Sequence, residues 1–174
     1  MKKIVFSLAV ISIAAMMVSC SGNKTNAGED TDSVIIEVEE LSGQTVDAGD
    51  FTIVIPDGWE LEGIASSYVR IKKDMGDNPP KQLLFLPYPV TPNSAEDKRN
   101  EKLAFKIDKG LDPVTLAGKT WHALYKAPQG DDRGYYYYYV DMPKGGFLNV
   151  QDINGYGGTN DPEIKEILES IKFK

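Results

Sequence analysis

An α+β fold around a mainly antiparallel sheet is what this sequence predicts, and three observations predict it. Short runs rich in β-branched and aromatic residues, separated by turn residues, recur from residue 34 to 86 and again from 121 to 152. Helix signals occur in only two stretches, one opening at Ser94 and one at Asp161. The strands come in groups and do not alternate with helices, which favours antiparallel pairing over βαβ units.

The strands follow in order. Val34-Ile35-Ile36-Glu37-Val38 reads as a first strand at an edge. Phe51-Thr52-Ile53-Val54-Ile55 is a stronger one, with Phe51, Ile53 and Ile55 on one face, and Pro56-Asp57-Gly58 ends it with turn chemistry. Tyr68 to Lys72 alternates, placing Val69 and Ile71 inward and Tyr68, Arg70 and Lys72 outward. Asp74 to Pro80 (DMGDNPP) breaks the chain. Gln82-Leu83-Leu84-Phe85-Leu86 is apolar on both faces, the pattern of a strand covered on both sides. Trp121 to Ala127, Tyr135 to Met142 and Gly146 to Asp152 then form a meander joined by PQGDDRG and PKGG.

The first helix starts at Ser94, with Asp97 three positions on completing a capping-box pattern. It runs to Leu103 or Ile107 and is closed by Gly110. The second has Asp161 at the N-cap, Pro162 at its first position and Glu163 near the positive end of the dipole. Ile164, Ile167, Leu168 and Ile171 recur at i, i+3, i+4 and i+7, an apolar stripe that belongs on the sheet.

The N-terminus carries an address. Lys2 and Lys3 precede an apolar run from Ile4 to Val18, long enough for a signal-peptide core and short of the roughly 20 residues of a spanning helix. The run ends in Met17-Val18-Ser19-Cys20, which resembles the lipobox of bacterial lipoproteins, with Met17 where that family usually has Leu. The resemblance implies that residues 1–19 are a signal peptide removed at Cys20. It also implies a diacylglyceryl group on the Cys20 sulfur and a further acyl chain, such as palmitate, on the new amine. The alternative, an uncleaved anchor helix, is disfavoured because polar residues with no Lys/Arg cluster follow Cys20. Ser21 stands where an aspartate would signal inner-membrane retention in enteric bacteria, so the analogy implies the outer membrane. Two or more chains make a stable anchor, whereas one is marginal.

Cys20 is the only cysteine, which removes disulfide frameworks, thiolate metal sites and a cysteine nucleophile. Without Lys2 and Lys3 the 19 basic residues fall to 17 against 26 acidic, a net charge of −9. Such a chain repels phosphate backbones, and nucleic acid is not expected as a partner. Residues 20–33 are polar, without apolar period, and read as a flexible tether to one globular domain over 34–174.

Three segments together resemble the PsbP-like fold: Ile55-Pro56-Asp57-Gly58-Trp59 at a strand end, Leu116-Ala117-Gly118 leading to Trp121, and the terminal Ile167 to Phe173 (ILESIKF). The resemblance covers most of residues 48–174. It implies an αβα sandwich and a non-catalytic, partner-binding role outside the cytoplasm, and it carries over no functional residues.

Candidate sites are few. His122 is the only histidine, lies within a strand and cannot form a histidine metal cluster, so a structural or surface role is expected. No Gly-x-Ser-x-Gly elbow is present. Tyr135 to Tyr139 is the most unusual run. One alternating set should pack under a helix and the other expose phenol edges for binding, and Tyr136 and Tyr138 are the candidates for the exposed set. Cross-strand aromatic packing competes with that reading. Asp152, Asn154, Gly157 and Glu163 have calcium-loop spacing. Tyr156 spoils a ligand position, though, and Glu163 is equally explained by its helix, so no metal is assigned. Gly155-Tyr156-Gly157-Gly158 lacks the Lys-Ser/Thr of a phosphate loop, and no cofactor is expected.

The expected function is therefore a tethered, non-catalytic module that binds an envelope protein or a small ligand through the tyrosine face or the loops at 74–80 and 128–134. The competing class is a small hydrolase that cleaves envelope or extracellular glycans with two carboxylates about 5–10 Å apart across a cleft.

Overall fold

Phe51 to Ile55 forms the strand its alternation implies. In a computed structural model, which describes residues 43–104, 108–130 and 133–174, strand β2 spans Phe51–Pro56 with Phe51, Ile53 and Ile55 buried. The leader, Cys20, the tether and the strand expected at 34–38 lie outside the described residues. Strand β1 (Gly43–Asp47) pairs with one edge of β2 and the two-residue β11 (Lys172–Phe173) with the other, giving a three-stranded sheet.

The larger sheet holds β3 (Glu60–Ala65), β4 (Tyr68–Met75), β5 (Asn78–Tyr88), β6 (Asp108–Gly110), β8 (Lys119–Lys126), β9 (Tyr135–Asp141) and β10 (Phe147–Asp152). Its order is β3-β4-β5-β10-β9-β8-β6, and β7 (Val114–Leu116) pairs with β8 off this path. Every pairing among the described residues is antiparallel. With helices α1 (Ala95–Leu103) and α2 (Pro162–Glu169), the fold is α+β.

The two faces of the large sheet are covered differently. On one face Val69, Ile71, Phe85, Val150 and Trp121 join Phe51, Ile53 and Ile55 of the small sheet and the stripe of α2 in a single core. Ile164, Ile167 and Leu168 are fully buried there, each contributing about 1.5–3 kcal/mol relative to exposure. Asp161 caps α2, accepting from the amides of Glu163 and Ile164. The other face carries a smaller cluster, Leu124, Tyr139 and Phe147 beneath Ala95 of α1. Ser94 and Asp97 close the capping box of α1, and the amide of Ala95 donates to Asp141 Oδ1 at 2.7 Å, fixing the helix start to β9.

Three expectations are corrected. The break expected over residues 74–80 is narrower than that, a turn at Gly76-Asp77, with the residues on either side belonging to β4 and β5. This turn is the tight connection between β4 and β5, and Pro79 and Pro80 sit inside β5 at a register irregularity. A bulge tolerates prolines because fewer ladder donors are needed there. Strand β5 is fully covered on one side only, since Leu83 and Phe85 are buried and Leu84 and Leu86 half-buried. Gly110 does not close α1. The helix ends at Leu103 with a right-handed cap at Ala104, and Gly110 belongs to β6, where an added Cβ would lie 2.7 Å from Arg99 Nη2.

Leu116 pairs with Lys119, so Ala117-Gly118 is a two-residue hairpin turn, with φ of 50° and 69°. Two positive φ values define the mirror-image turn that suits strand twist, and an alanine there is strained. Replacing Ala117 by Asn should raise stability by about 0.5–1 kcal/mol, read as a higher urea midpoint at unchanged slope.

Candidate binding cleft

The five tyrosines of β9 lie between two covered faces. Tyr138 is 1% exposed and its hydroxyl accepts from the amide of Thr159 at 2.8 Å, while Tyr136 is half-buried against the main core and packs on Tyr125 at 4.8 Å. The expectation that Tyr136 and Tyr138 form an exposed binding set is therefore corrected. Their face carries the short turn Gly158–Asn160 and the core that it closes. Gly158 is required there, because an added Cβ would lie 1.9 Å from Tyr138 Oη. Burial raises the pKa of Tyr136 and of Tyr138.

The opposite set, on the α1 side, is the one that meets open space. Between α1 and strands β9 and β10 lies a cleft of about 340 Å³. Its floor is built by register: Tyr139 faces Asn149 and Tyr137 faces Gln151 across the β9–β10 ladder. One wall is aromatic, with Tyr88 stacked on Phe147 at 4.8 Å and 43% exposed. The other wall is the flank of α1, which supplies Lys98 and Lys102. Lys98 is paired with Glu101 at 2.6 Å, whereas Lys102 has no carboxylate within ion-pair distance among the described residues.

Two lining groups lack partners. Asn149 is 6% exposed and Tyr139 1% exposed, and among the described residues neither Asn149 Oδ1 nor Tyr139 Oη, both sealed from solvent, has a hydrogen-bond partner. A buried polar group left unpaired costs about 1–3 kcal/mol, a cost these two atoms place beneath the floor of the cleft. Burial, with Tyr137, Tyr88 and the Asp108 and Glu101 carboxylates nearby, raises the Tyr139 pKa strongly and keeps the phenol neutral. These residues were missed in the sequence. The signal was the same alternation, which places polar Asn149 and Gln151 on the face of Phe147, next to Tyr137 and Tyr139.

The calcium-like loop is committed elsewhere. Asn154 Nδ2 donates to the Pro80 carbonyl at 2.6 Å and Tyr156 Oη to that of Pro79, pinning the loop to β5. Lys73 and Lys81 hold the Glu163 carboxylate, and their hydrogen bonds keep its pKa low. Lys81 also pairs with Asp161 at 2.6 Å. Among the described residues, no three His, Cys, Asp or Glu side chains converge. His122 is half-buried beside Thr120 and Asp141 in a shallow depression of about 180 Å³.

Asp152 is fully buried on the core face of β10, and its Oδ2 accepts from the Gly158 amide at 3.1 Å. Burial pushes its pKa from an ordinary 3.8 to about 6, against the pull of the Gly158, Tyr156 and Gly155 amides. The folded chain therefore holds this proton where the unfolded chain has lost it. Stability falls as pH rises from about 4 through 6, and the loss persists above that window. Asp152→Asn removes the titration. Its stability relative to wild type should improve by about 2 kcal/mol between pH 4 and pH 7.5, read from urea unfolding at each pH. Parallel profiles would contradict the assignment.

Fold and cleft together define an α+β protein with a small polar-aromatic pocket on one face of an antiparallel sheet. No family model and no curated protein matches the chain. Among solved structures it is similar to a crystal structure from Bacteroides thetaiotaomicron VPI-5482, at 11% identity and a TM-score of 0.49, over 77% of this chain and 49% of that one. The chain thus spans about half the length of that structure.

Proposed function

We propose that this chain is a lipid-anchored envelope lipoprotein of the outer membrane, and that its domain, a PsbP-like αβα sandwich, is a non-catalytic binding module. The site is the cleft beside α1. The observation that carries the reading is a space of about 340 Å³, large enough for a small ligand, with the exposed Tyr88 ring and the Lys102 ammonium on its walls. Among the described residues the cleft's lining has no carboxylate, which favours binding over two-acid glycan hydrolysis.

Resonance mapping of the isotope-labelled protein against fractionated envelope carbohydrates and metabolites tests this. Bound components should shift the amides of residues 137–139, 147–151 and α1 without being converted. Shifts confined to the β3 edge, or a new product in solution, would overturn the reading.

A further inference from the structure

We propose that the segment 157–160 is a pH-gated latch on the core side of β9, shut while Asp152 holds its proton and released when Asp152 ionises. The latch lies on the opposite side of the sheet from the α1 cleft and does not rest on the binding reading. Its two ends are fixed. Before it, Asn154 Nδ2 donates to the Pro80 carbonyl, Tyr156 Oη to that of Pro79, and the Ile153 amide to that of Gln82 at 3.1 Å. After it, Asp161 caps α2 and accepts from Lys81 Nζ at 2.6 Å. Between these points, among the described residues, two hydrogen bonds hold the segment to the sheet. The Gly158 amide donates to Asp152 Oδ2 at 3.1 Å and the Thr159 amide to Tyr138 Oη at 2.8 Å. Gly157 and Gly158, at φ of 108° and 56°, take conformations that other residues rarely adopt and give the segment a hinge at its start.

Burial couples the latch to charge. Asp152 is fully buried, its Oδ1 is sealed from solvent, and among the described residues that oxygen has no hydrogen-bond partner. A neutral carboxyl tolerates such a site, whereas a carboxylate there loses its hydration and needs a cation in exchange. The surroundings supply none. β5 places Leu83 opposite Asp152, and Lys81, two positions away, is committed to Asp161 and Glu163. β9 contributes Tyr136 and Tyr138, whose pKa values burial raises, so both phenols stay neutral. At the start of α2, Asp161 adds a repelling charge, and Glu163 is kept ionised by Lys73 and Lys81. The amides of Gly158, Tyr156 and Gly155 favour the anion, but burial outweighs them. The covered carboxyl therefore binds its proton more tightly than an exposed one, and closure weakens as pH rises from about 4 through 6. Lifting residues 157–160 brings water to the carboxylate without unfolding the sheet.

Amide hydrogen exchange on the full chain in detergent, corrected for intrinsic rates, tests this at pH 4 and pH 7.5. Gly158 and Thr159 should exchange faster than Leu83 and Phe85 of β5 at both values, because the opening is local. Their protection should fall about fiftyfold from pH 4 to pH 7.5, the factor set by a carboxyl with a pKa of about 6 when covered and 3.8 when exposed. Asp152→Asn keeps an acceptor for the Gly158 amide and should abolish that fall. Tyr138→Phe removes the acceptor of the Thr159 amide, and should speed latch exchange at both pH values while leaving the fall intact. Latch amides as protected as those of β5, equal protection at the two pH values, or a fall that survives Asp152→Asn would each overturn the proposal. If Asp152→Asn does not fold, the wild-type fall and its persistence in Tyr138→Phe decide the matter, and loss of either overturns the latch.

Discussion

Trp121→Ala is expected to cost about 3–5 kcal/mol, a large share of the stability of a domain this size. Trp121 is fully buried at the centre of the main core, and its Nε1–H donates to the Leu116 carbonyl at 3.1 Å. Truncation opens a cavity between the large sheet and the layer formed by β2 and α2, and it removes the indole donor from that carbonyl. Trp121→Phe keeps part of the ring and should cost less, which separates the cavity from the hydrogen bond. Urea unfolding followed by circular dichroism measures both variants. A loss below about 1 kcal/mol for alanine would mean the core is not packed as described.

Lys81→Ala is expected to cost about 3 kcal/mol, through charge and not volume. The Lys81 ammonium is 8% exposed by residue and bonds Asp161 at 2.6 Å and Glu163 at 2.7 Å. Burial opposes its charge, but the hydrogen bonds it donates to Asp161 and Glu163 outweigh it and raise the pKa overall. Removing it strands Asp161, itself the cap of α2, while Glu163 retains Lys73. The double variant Lys81→Met with Asp161→Asn keeps an acceptor at the cap and removes the unpaired charge. It should recover a substantial part of the loss in a double-mutant cycle. Full additivity would show that the pair is not coupled.

The sequence was most legible where burial is one-sided. Val69 and Ile71 in β4, and Ile164, Ile167 and Leu168 in α2, announce their faces because water lies opposite each. Ser94 with Asp97, and Asp161 with Pro162, announce helix starts through local chemistry. Strand β3 was hidden because a bulge between Leu61 and Gly63 resets its alternation and most of its residues are exposed. β6, β7 and β11 are two or three residues long, too short to show a period.

Tyr135 to Tyr139 shows the limit differently. The alternation was legible, but its two faces were not. β9 is an inner strand with a layer on each side, so Tyr138 and Tyr139 are both buried and neither set is simply outward. The cleft depends on where α1 crosses β9 and β10. That crossing is set by Ala95 bonding Asp141, 46 positions away, a tertiary contact that no local pattern encodes.

The functional reading depends first on where the domain resides. An intact-mass measurement on the native protein extracted from membranes decides it. The native chain is expected to begin at Cys20 and to carry the added mass of a diacylglyceryl group and an amide-linked acyl chain. A chain that still begins at Met1, with a free thiol at Cys20, would contradict it.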